Sequence, residues 1–358
     1  MAKELKHLEG EVKKDWPKVI SLAGGITALI GLFVSIGGGV TWLVNHHQQE
    51  QLRLTKIALA QTQAEQGDYR GSIRSYAEIL KEDPAYEPAL NGQLNTVELW
   101  VENFQVSAEE GEDVSKPAAA MLDQIMPILD AGLTRAGKGP QSADILAHIG
   151  WAHWLNEKIA EREFGPAAES NLRAALAIDL NNVYANAMLA NWMLQQGGDL
   201  SQAMPHFATA VATGRARPFV RDLELGALTY LDEKGARAEQ VRVANEMRKG
   251  GEAMDEEDKN RILSFCFDPV VTDHDELVES LSAVPPDDAW KTYLWLDSIH
   301  DAQSQGTIHD FVQASLLEIS GDRVGALSKF QALQAQLKDS PGSLKDAVNA
   351  SLARLAHG

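Results

Sequence analysis

The chain has 358 residues, of which 44% are hydrophobic, with a formal net charge of −19 and one cysteine. That apolar fraction suffices for a buried core and excludes a disordered chain. The negative charge argues against nucleic acid as a partner because phosphates repel it, and a single cysteine excludes intrachain disulfides.

A long apolar segment follows the tail 1–18. No ionisable side chain occurs from Val19 to Val44, and Trp16 and Trp42 bracket this stretch. A helix of that length spans about 39 Å, against about 30 Å for the hydrocarbon core of a bilayer. Since no small-x-small cleavage site follows closely, the pattern predicts an uncleaved single transmembrane helix over 19–44 and not a signal peptide.

Basic residues near the two ends of this segment predict its orientation. Five lysines lie in the tail, whereas 45–60 contains only Arg53 and Lys56. Cytoplasmic flanks carry the excess of lysine and arginine. We therefore expect a single-pass protein of the inner membrane with a cytoplasmic N-terminus and a periplasmic bulk.

Small residues recur every four positions along the predicted span, at Thr27, Gly31, Ser35 and Gly39. Such rows let two helices approach closely within a bilayer. They predict a helix–helix contact, either with a second copy, giving a homo-oligomer, or with a partner subunit. The alternative is that glycine is simply common in membrane helices.

After residue 50 the sequence is rich in Ala, Leu, Gln and Glu, which favour helices. Runs that alternate β-branched and polar residues, typical of strands, do not occur. The sequence therefore predicts an all-α domain.

Helix–turn–helix patterns recur within that domain. Residues 59–84 place a Gly67-Asp68 turn before a second helix with inner positions Ser72, Tyr76, Ile79 and Leu80. The spacing returns in three further sets. These are Ala168, Leu172, Ala175 and Leu176; Ala203, Phe207, Ala210 and Val211; and Ala326, Phe330 and Leu333.

These units resemble the tetratricopeptide repeat (TPR), a helix pair of about 34 residues that stacks into an α-solenoid. The first unit departs from the repeat at Ser72 and Lys56. The resemblance implies a TPR-like unit at 53–104, a helical array at 118–250 and a C-terminal helical part at 251–355 with another unit at 308–338. It also implies protein–protein interaction and not catalysis.

Motifs for chemistry are weak. Gly132–Lys138 fits the start of a phosphate-binding loop, but Gly139 stands where serine or threonine is needed and no strand precedes it. The histidines do not show zinc-site spacing, so we expect no metal and no cofactor. The acidic run 273–276 is interpreted as helix capping by Thr272 with Asp275, and the run 255–258 likewise as a cap. Cys266 is expected to be packed among apolar neighbours.

Two sets of residues are candidates for partner binding. Some TPR domains hold a C-terminal carboxylate with paired Lys and Asn, and groove-facing amides are predicted at Asn91, Asn95, Asn186 and Asn191, although the matching lysines are missing. Five tryptophans are interpreted as core packing, with a groove that holds a peptide as the alternative. They are Trp151, Trp154, Trp192, Trp290 and Trp295.

The sequence therefore predicts a membrane-anchored scaffold or assembly factor that binds subunits of an envelope complex through its TPR-like domain. One alternative is an adaptor with the same domain facing the cytoplasm. Another, from a different class, is a hydrolase or transferase with an acidic site.

Overall fold

The computed structural model describes residues 47–104, 114–160, 165–213, 218–229, 231, 235–300, 306–338 and 342–357. Helices joined by turns and short loops account for these ranges, and no strand occurs in them. The prediction of an all-α fold is confirmed. The first described residues, 47–65, are already helical and are called α1.

Fifteen further helices follow α1 in the described ranges. They are α2 Tyr69–Glu82, α3 Glu87–Asn103, α4 Ser115–Ala136, α5 Pro140–Ile159, α6 Pro166–Ile178, α7 Val183–Gln195, α8 Leu200–Ala212, α9 Pro218–Thr229, α10 Ala236–Gly250, α11 Glu256–Ile262, α12 His274–Ser282, α13 Pro286–Asp297, α14 Gly306–Ile319, α15 Arg323–Gln336 and α16 Ser343–His357. A π-helical turn, Leu263–Phe267, continues α11.

The chain divides into two compact units, residues 1–97 and 98–358. In the first, Ala60 of α1, Tyr76 and Ile79 of α2 and Ala89 of α3 form a buried cluster. Tyr76 fits because Gly92 faces its ring: a Cβ at that position would lie 2.4 Å from Tyr76 Cζ.

The second unit contains a run of helix pairs. Helix α5 packs on α6, and α7 packs on α8, while α5, α7 and α9 also contact one another in succession. Contacts thus occur within each helix pair and between successive pairs, which is compatible with a helical repeat array.

The turns between paired helices share one backbone geometry. Gly67, Gly197 and Gly321 all have positive φ, at 80°, 71° and 85°. At Gly67 and Gly321 the amide of the glycine and that of the following aspartate donate to carbonyls three and five residues back. This is the Schellman arrangement, in which glycine avoids the strain of the left-handed conformation.

The inner face of each second helix is buried at positions that share one spacing, with the second position four residues and the third seven residues after the first. All twelve positions are at most 1% exposed. They are Ser72, Tyr76 and Ile79; Ala168, Leu172 and Ala175; Ala203, Phe207 and Ala210; and Ala326, Phe330 and Leu333. These twelve predicted positions are therefore confirmed as buried, whereas the fourth predicted position of three sets, at Leu80, Leu176 and Val211, is only partly buried.

The predicted cap of the helix at 274–282 is wrong by one residue. Asp273 is the N-cap, with its carboxylate accepting from the Glu276 amide at 2.9 Å while Glu276 accepts from the Asp273 amide at 3.0 Å. Thr272, which is buried, instead donates to the carbonyl of Phe265 at 3.1 Å. The cap predicted at the run 255–258 is confirmed, with Asp255 accepting from the Asp258 amide.

Within the described ranges, no helix has both the length and the apolar character required to cross a bilayer. The predicted tail 1–18 and the predicted span 19–44 lie outside those ranges.

Candidate partner-binding groove

The loop between the π-helical turn and α12 is held in a fixed shape by its own hydrogen bonds. Asp268 accepts through its side chain from the Val270 amide at 2.8 Å, and through its carbonyl from the Thr272 amide at 2.8 Å. Pro269 cannot extend a helix into this segment. The loop therefore projects Val270 and Val271 outward, with 49% and 63% of each residue exposed.

This loop forms one side of a groove of about 440 Å³, called here the C-terminal groove. Leu277 of α12 and Phe311 of α14 lie in it and are otherwise buried. The opposite side is a face of α16 on which the small side chains of Ala347, Ala350 and Ser351 lie between Asp346 and Arg354. The lining is thus mainly apolar and wide enough for side chains of another segment.

The charges around the groove are unequal. Asp273 and Asp346 carry the acidic groups, and Arg354, the one arginine among the described lining residues, pairs with Glu318 at 3.4 Å. Burial, followed by the charge of Arg354, lowers the pKa of His274, so this imidazole is neutral at pH 7. The rim is therefore net acidic around an apolar floor.

The sequence-predicted site residues do not meet at this groove. Thr27, Gly31, Ser35 and Gly39, predicted to form the helix–helix contact, lie outside the described residues. Asn91 and Asn95 are exposed on α3, in the first unit.

The other two predicted amides lie in the interior of the second unit. Asn186 donates to the carbonyls of Leu180 and Asn182, both at 2.9 Å, and its oxygen is 2.7 Å from His206 Nδ1. Asn191 donates to the carbonyl of Leu223 at 3.2 Å. These amides join α7 to neighbouring segments, and partner binding by any of the four stays a prediction.

Two of the five tryptophans occupy packed positions, whereas Trp192, Trp290 and Trp295 are partly buried. Trp151 and Trp154 of α5 are each 4% exposed, and their rings stack at 4.2 Å between centroids. Lys158 lies over the Trp154 ring at 4.6 Å. This burial favours core packing over a tryptophan-lined groove for these two residues.

A buried arginine pairs with three carboxylates, and the pKa of one of them, Glu224, is shifted. Arg221 of α9 donates to Glu224 at 2.8 Å, to Glu252 at 3.2 Å and to Glu246 at 3.3 Å. Burial raises the pKa of Glu224 to about 7, although the charge of Arg221 opposes that shift. Shifted carboxylates are also typical of catalytic sites. Here they pair with an arginine that ties α9 to α10, which is a structural arrangement.

The described residues contain no group of three or more His, Cys, Asp or Glu side chains placed to hold a metal. The phosphate-loop candidate Gly132–Lys138 is helical as far as Ala136, where α4 ends. Its backbone therefore does not form the open loop that cradles phosphate.

Sequence reasoning missed the C-terminal groove. Its two sides come from 269–277 and 343–354, and Phe311 lies between them in sequence. The signal in the sequence is the apolar pair Val270 and Val271 beside Pro269.

The described residues define an all-α protein of packed helix pairs with an apolar groove near its C-terminal end. Neither a protein-family model nor a curated protein sequence matches this chain.

Proposed function

We propose that this protein is a membrane-anchored scaffold whose TPR-like domain binds partner proteins. Four features support this proposal: the repeated Gly-Asp turns, the shared buried stripe, the apolar segment 19–44 and an exposed apolar groove. The groove carries most of the argument, because an apolar floor with exposed valines at its edge is typical of an interaction surface.

The chemistry of the groove indicates what its partner presents. Leu277 and Phe311 favour aliphatic or aromatic side chains, and the small residues of α16 let a backbone come close. Asp273 and Asp346 favour a positive flank, and the net charge of −19 attracts basic segments over a longer range. The proposed partner segment is therefore apolar with basic residues beside it.

Charge placed at the edge of the groove tests this assignment. We expect Val271→Asp to abolish copurification of partner proteins from membranes solubilised in detergent, because a carboxylate would be desolvated against the apolar segment. Val324→Asp is the matched control, since Val324 is 80% exposed on α15 and does not line the groove. Equal recovery of partners with both variants, or equal loss with both, contradicts a binding role for the groove.

The side of the membrane is tested separately. Ala332→Cys places a thiol on an exposed position of α15, while the native Cys266 is fully buried and gives no background. A membrane-impermeant maleimide added to intact spheroplasts labels this variant if the domain is periplasmic. Labelling only after the membrane is opened supports the cytoplasm-facing adaptor.

A further inference from the structure

The first described helix, α1, exposes two leucines on one side. Its inner side contributes Ala60 to the buried cluster of the first unit, and Ile57 packs against that cluster. Leu52 and Leu59 lie on another side and are each 55% exposed. Leucine is among the residue types that folding most often buries, so two exposed leucines on one side of a helix require an explanation.

These leucines belong to a stripe with the spacing of a helix–helix contact. Gln48, Leu52, Thr55, Leu59 and Thr62 follow one another in alternating steps of four and three residues. That spacing keeps side chains on one face of a helix, where a second helix packs along it. Leu52 and Leu59 are one heptad apart, about 10.5 Å along the helix axis. We call these five positions the α1 seam.

The threonines of the α1 seam can be buried with their hydrogen bonds intact. The Thr55 hydroxyl donates to the Gln51 carbonyl and the Thr62 hydroxyl donates to the Ala58 carbonyl, both at 2.9 Å. Each hydroxyl is thus satisfied within its own helix. Covering the α1 seam therefore leaves neither hydroxyl donor unpaired.

The α1 seam is uncharged, and the basic side chains of α1 are paired within the first unit. Arg53 is 3.1 Å from Asp83, and the ammonium of Lys56 is 2.9 Å from Glu82. Both acidic partners lie at the end of α2, so the two basic groups are directed towards α2. Two identical seams can therefore meet without like charges between them, which would otherwise oppose self-association.

A second copy of this chain matches the α1 seam in direction and level. A single span over 19–44 would bring every copy out of the bilayer in the same direction, with the same number of residues before Leu52. Two α1 helices would then run parallel with their leucines at equal heights. Two heptads are short for a free helix pair, but anchoring in one membrane raises the effective concentration of the second helix.

We infer that α1 pairs in parallel with α1 of a second copy, with each Leu52 facing the other Leu52 and each Leu59 facing the other Leu59. The inference rests on the membrane anchor of the proposed function and is independent of the C-terminal groove. A scaffold paired in this way presents two copies of its binding domain to one partner complex.

Cysteine crosslinking in membranes tests this contact position by position. Leu52→Cys and Leu59→Cys each place a thiol on the α1 seam, while the native Cys266 is fully buried and gives no background. Leu54→Cys is the matched control, since Leu54 is 47% exposed but lies off the seam. After oxidation with copper phenanthroline we expect at least about tenfold more disulfide-linked dimer from either seam variant than from the control, because facing Cα atoms of a close parallel pair are near enough for a disulfide.

The absence of dimer from both seam variants, or an equal yield from the control, overturns the inference. A crosslink to a different protein in place of the dimer overturns it as well. Alkaline carbonate extraction of the same membranes separates two kinds of failure. Release of the chain contradicts the membrane anchor, and with it both the proposed function and the pairing. Retention of the chain without a dimer contradicts the pairing alone.

A charged variant tests the seam without oxidation. Leu52→Glu combined with Leu59→Glu places like charges opposite each other, so we expect the dimer fraction of the full chain in non-ionic detergent to fall about tenfold. Native mass spectrometry measures that fraction, and the circular dichroism spectrum is expected to be unchanged because both leucines are exposed. Leu54→Glu combined with Gln61→Glu, at two exposed positions off the seam, is the matched control. An unchanged dimer fraction in the seam variant, or an equal fall in the control, overturns the assignment.

Discussion

The environment of His148 determines the pKa of its imidazole. The ring is fully buried, with Nδ1 2.7 Å from the carbonyl of Asp144 and Nε2 3.1 Å from Glu102. A carbonyl and a carboxylate both accept, so both ring nitrogens donate and the imidazole is charged. Burial lowers its pKa, but the bonds to Glu102 and Asp144 and the charges of Glu98 and Glu102 outweigh burial and raise the pKa overall.

We predict that His148→Leu lowers the free energy of unfolding by about 3 kcal/mol near pH 6, because Glu102 is left buried without its cation. The folded-state pKa is above the unfolded value, so the contribution is complete below about pH 6.5 and is lost as the pH rises through the folded pKa. Denaturant unfolding at pH 6 and pH 9 measures the difference.

The control for this prediction removes both partners. His148→Leu combined with Glu102→Leu is expected to recover most of the lost stability, since replacing a buried pair with apolar groups is often neutral. A deficit that is independent of pH would instead indicate that the ring contributes only packing, for example against Tyr184 at 4.7 Å.

Two glycines inside helices of the second unit, Gly150 and Gly226, have different surroundings. Gly150 lies where α5 meets α6, and a Cβ there would stand 2.9 Å from the Ala168 carbonyl and 2.9 Å from Leu172 Cγ. Gly226, in α9, has nothing within 4 Å of such a Cβ. Both glycines lie inside helices, and only the packing around them distinguishes the two positions.

We therefore predict opposite effects of the same substitution. Gly150→Ala is expected to destabilise the protein by about 1–3 kcal/mol through overpacking. Gly226→Ala is expected to stabilise it by about 0.5–1 kcal/mol through helix propensity. Chemical denaturation of the two variants beside the native chain checks both signs, and a stabilising effect at Gly150 would contradict the close contact of α5 with α6.

At the scale of elements, the turn and the helix that follows it act as one unit. Asp322 caps α15 by accepting from the Gly325 amide at 2.9 Å, and Asp68 caps α2 from the Gly71 amide at the same distance. A Cβ at Gly325 would stand 2.4 Å from Asp322 Oδ2. The second glycine thus makes room for the capping carboxylate.

Loss of this cap has a defined cost. Asp322→Ala is expected to reduce the free energy of unfolding by about 1 kcal/mol, whereas Asp322→Asn keeps an acceptor and changes it by only a few tenths. Thermal unfolding of the two variants measures the contrast. Equal losses would mean that the charge, and not the hydrogen bond, provides the stabilisation.

The capping motif also shows where sequence reasoning succeeds and fails. The Gly-Asp turns and the cap at Asp255 follow from local chemistry, so they were predictable. The prediction placed the N-cap at Thr272, one residue before Asp273. It was wrong because the Thr272 hydroxyl donates to the Phe265 carbonyl and does not cap the helix. The hydrogen bond between Thr272 and Phe265 joins residues seven apart in an irregular segment, so no periodic pattern in the sequence indicates it.

At the scale of the whole molecule, Cys266 reports on the integrity of the second unit. Its thiol is fully buried on the π-helical turn, 3.7 Å from Gln240 of α10. Burial raises its pKa to about 12. The thiolate form, which reacts with labelling reagents, is therefore scarce. A reagent can reach the sulfur only when the packing of α10 on the π-helical turn opens.

We predict that this cysteine reacts with Ellman's reagent at pH 8 at least about a hundredfold more slowly in the native protein than in denaturant. The Ala332→Cys variant provides the comparison, since its added thiol is exposed and should react within the mixing period. Rapid reaction of Cys266 in the native chain would contradict the packing described for this part of the molecule.

The sequence by itself determined the all-α class, the turns and the buried stripes, because helix propensity, glycine conformation and capping act over a few neighbouring residues. It also predicts a span at 19–44 and a scaffold role, which stay predictions. Only the tertiary structure decided where the C-terminal groove lies, since it joins segments tens of residues apart. Side chains such as Val271 and Ala350 line one groove through packing, which has no period along the chain.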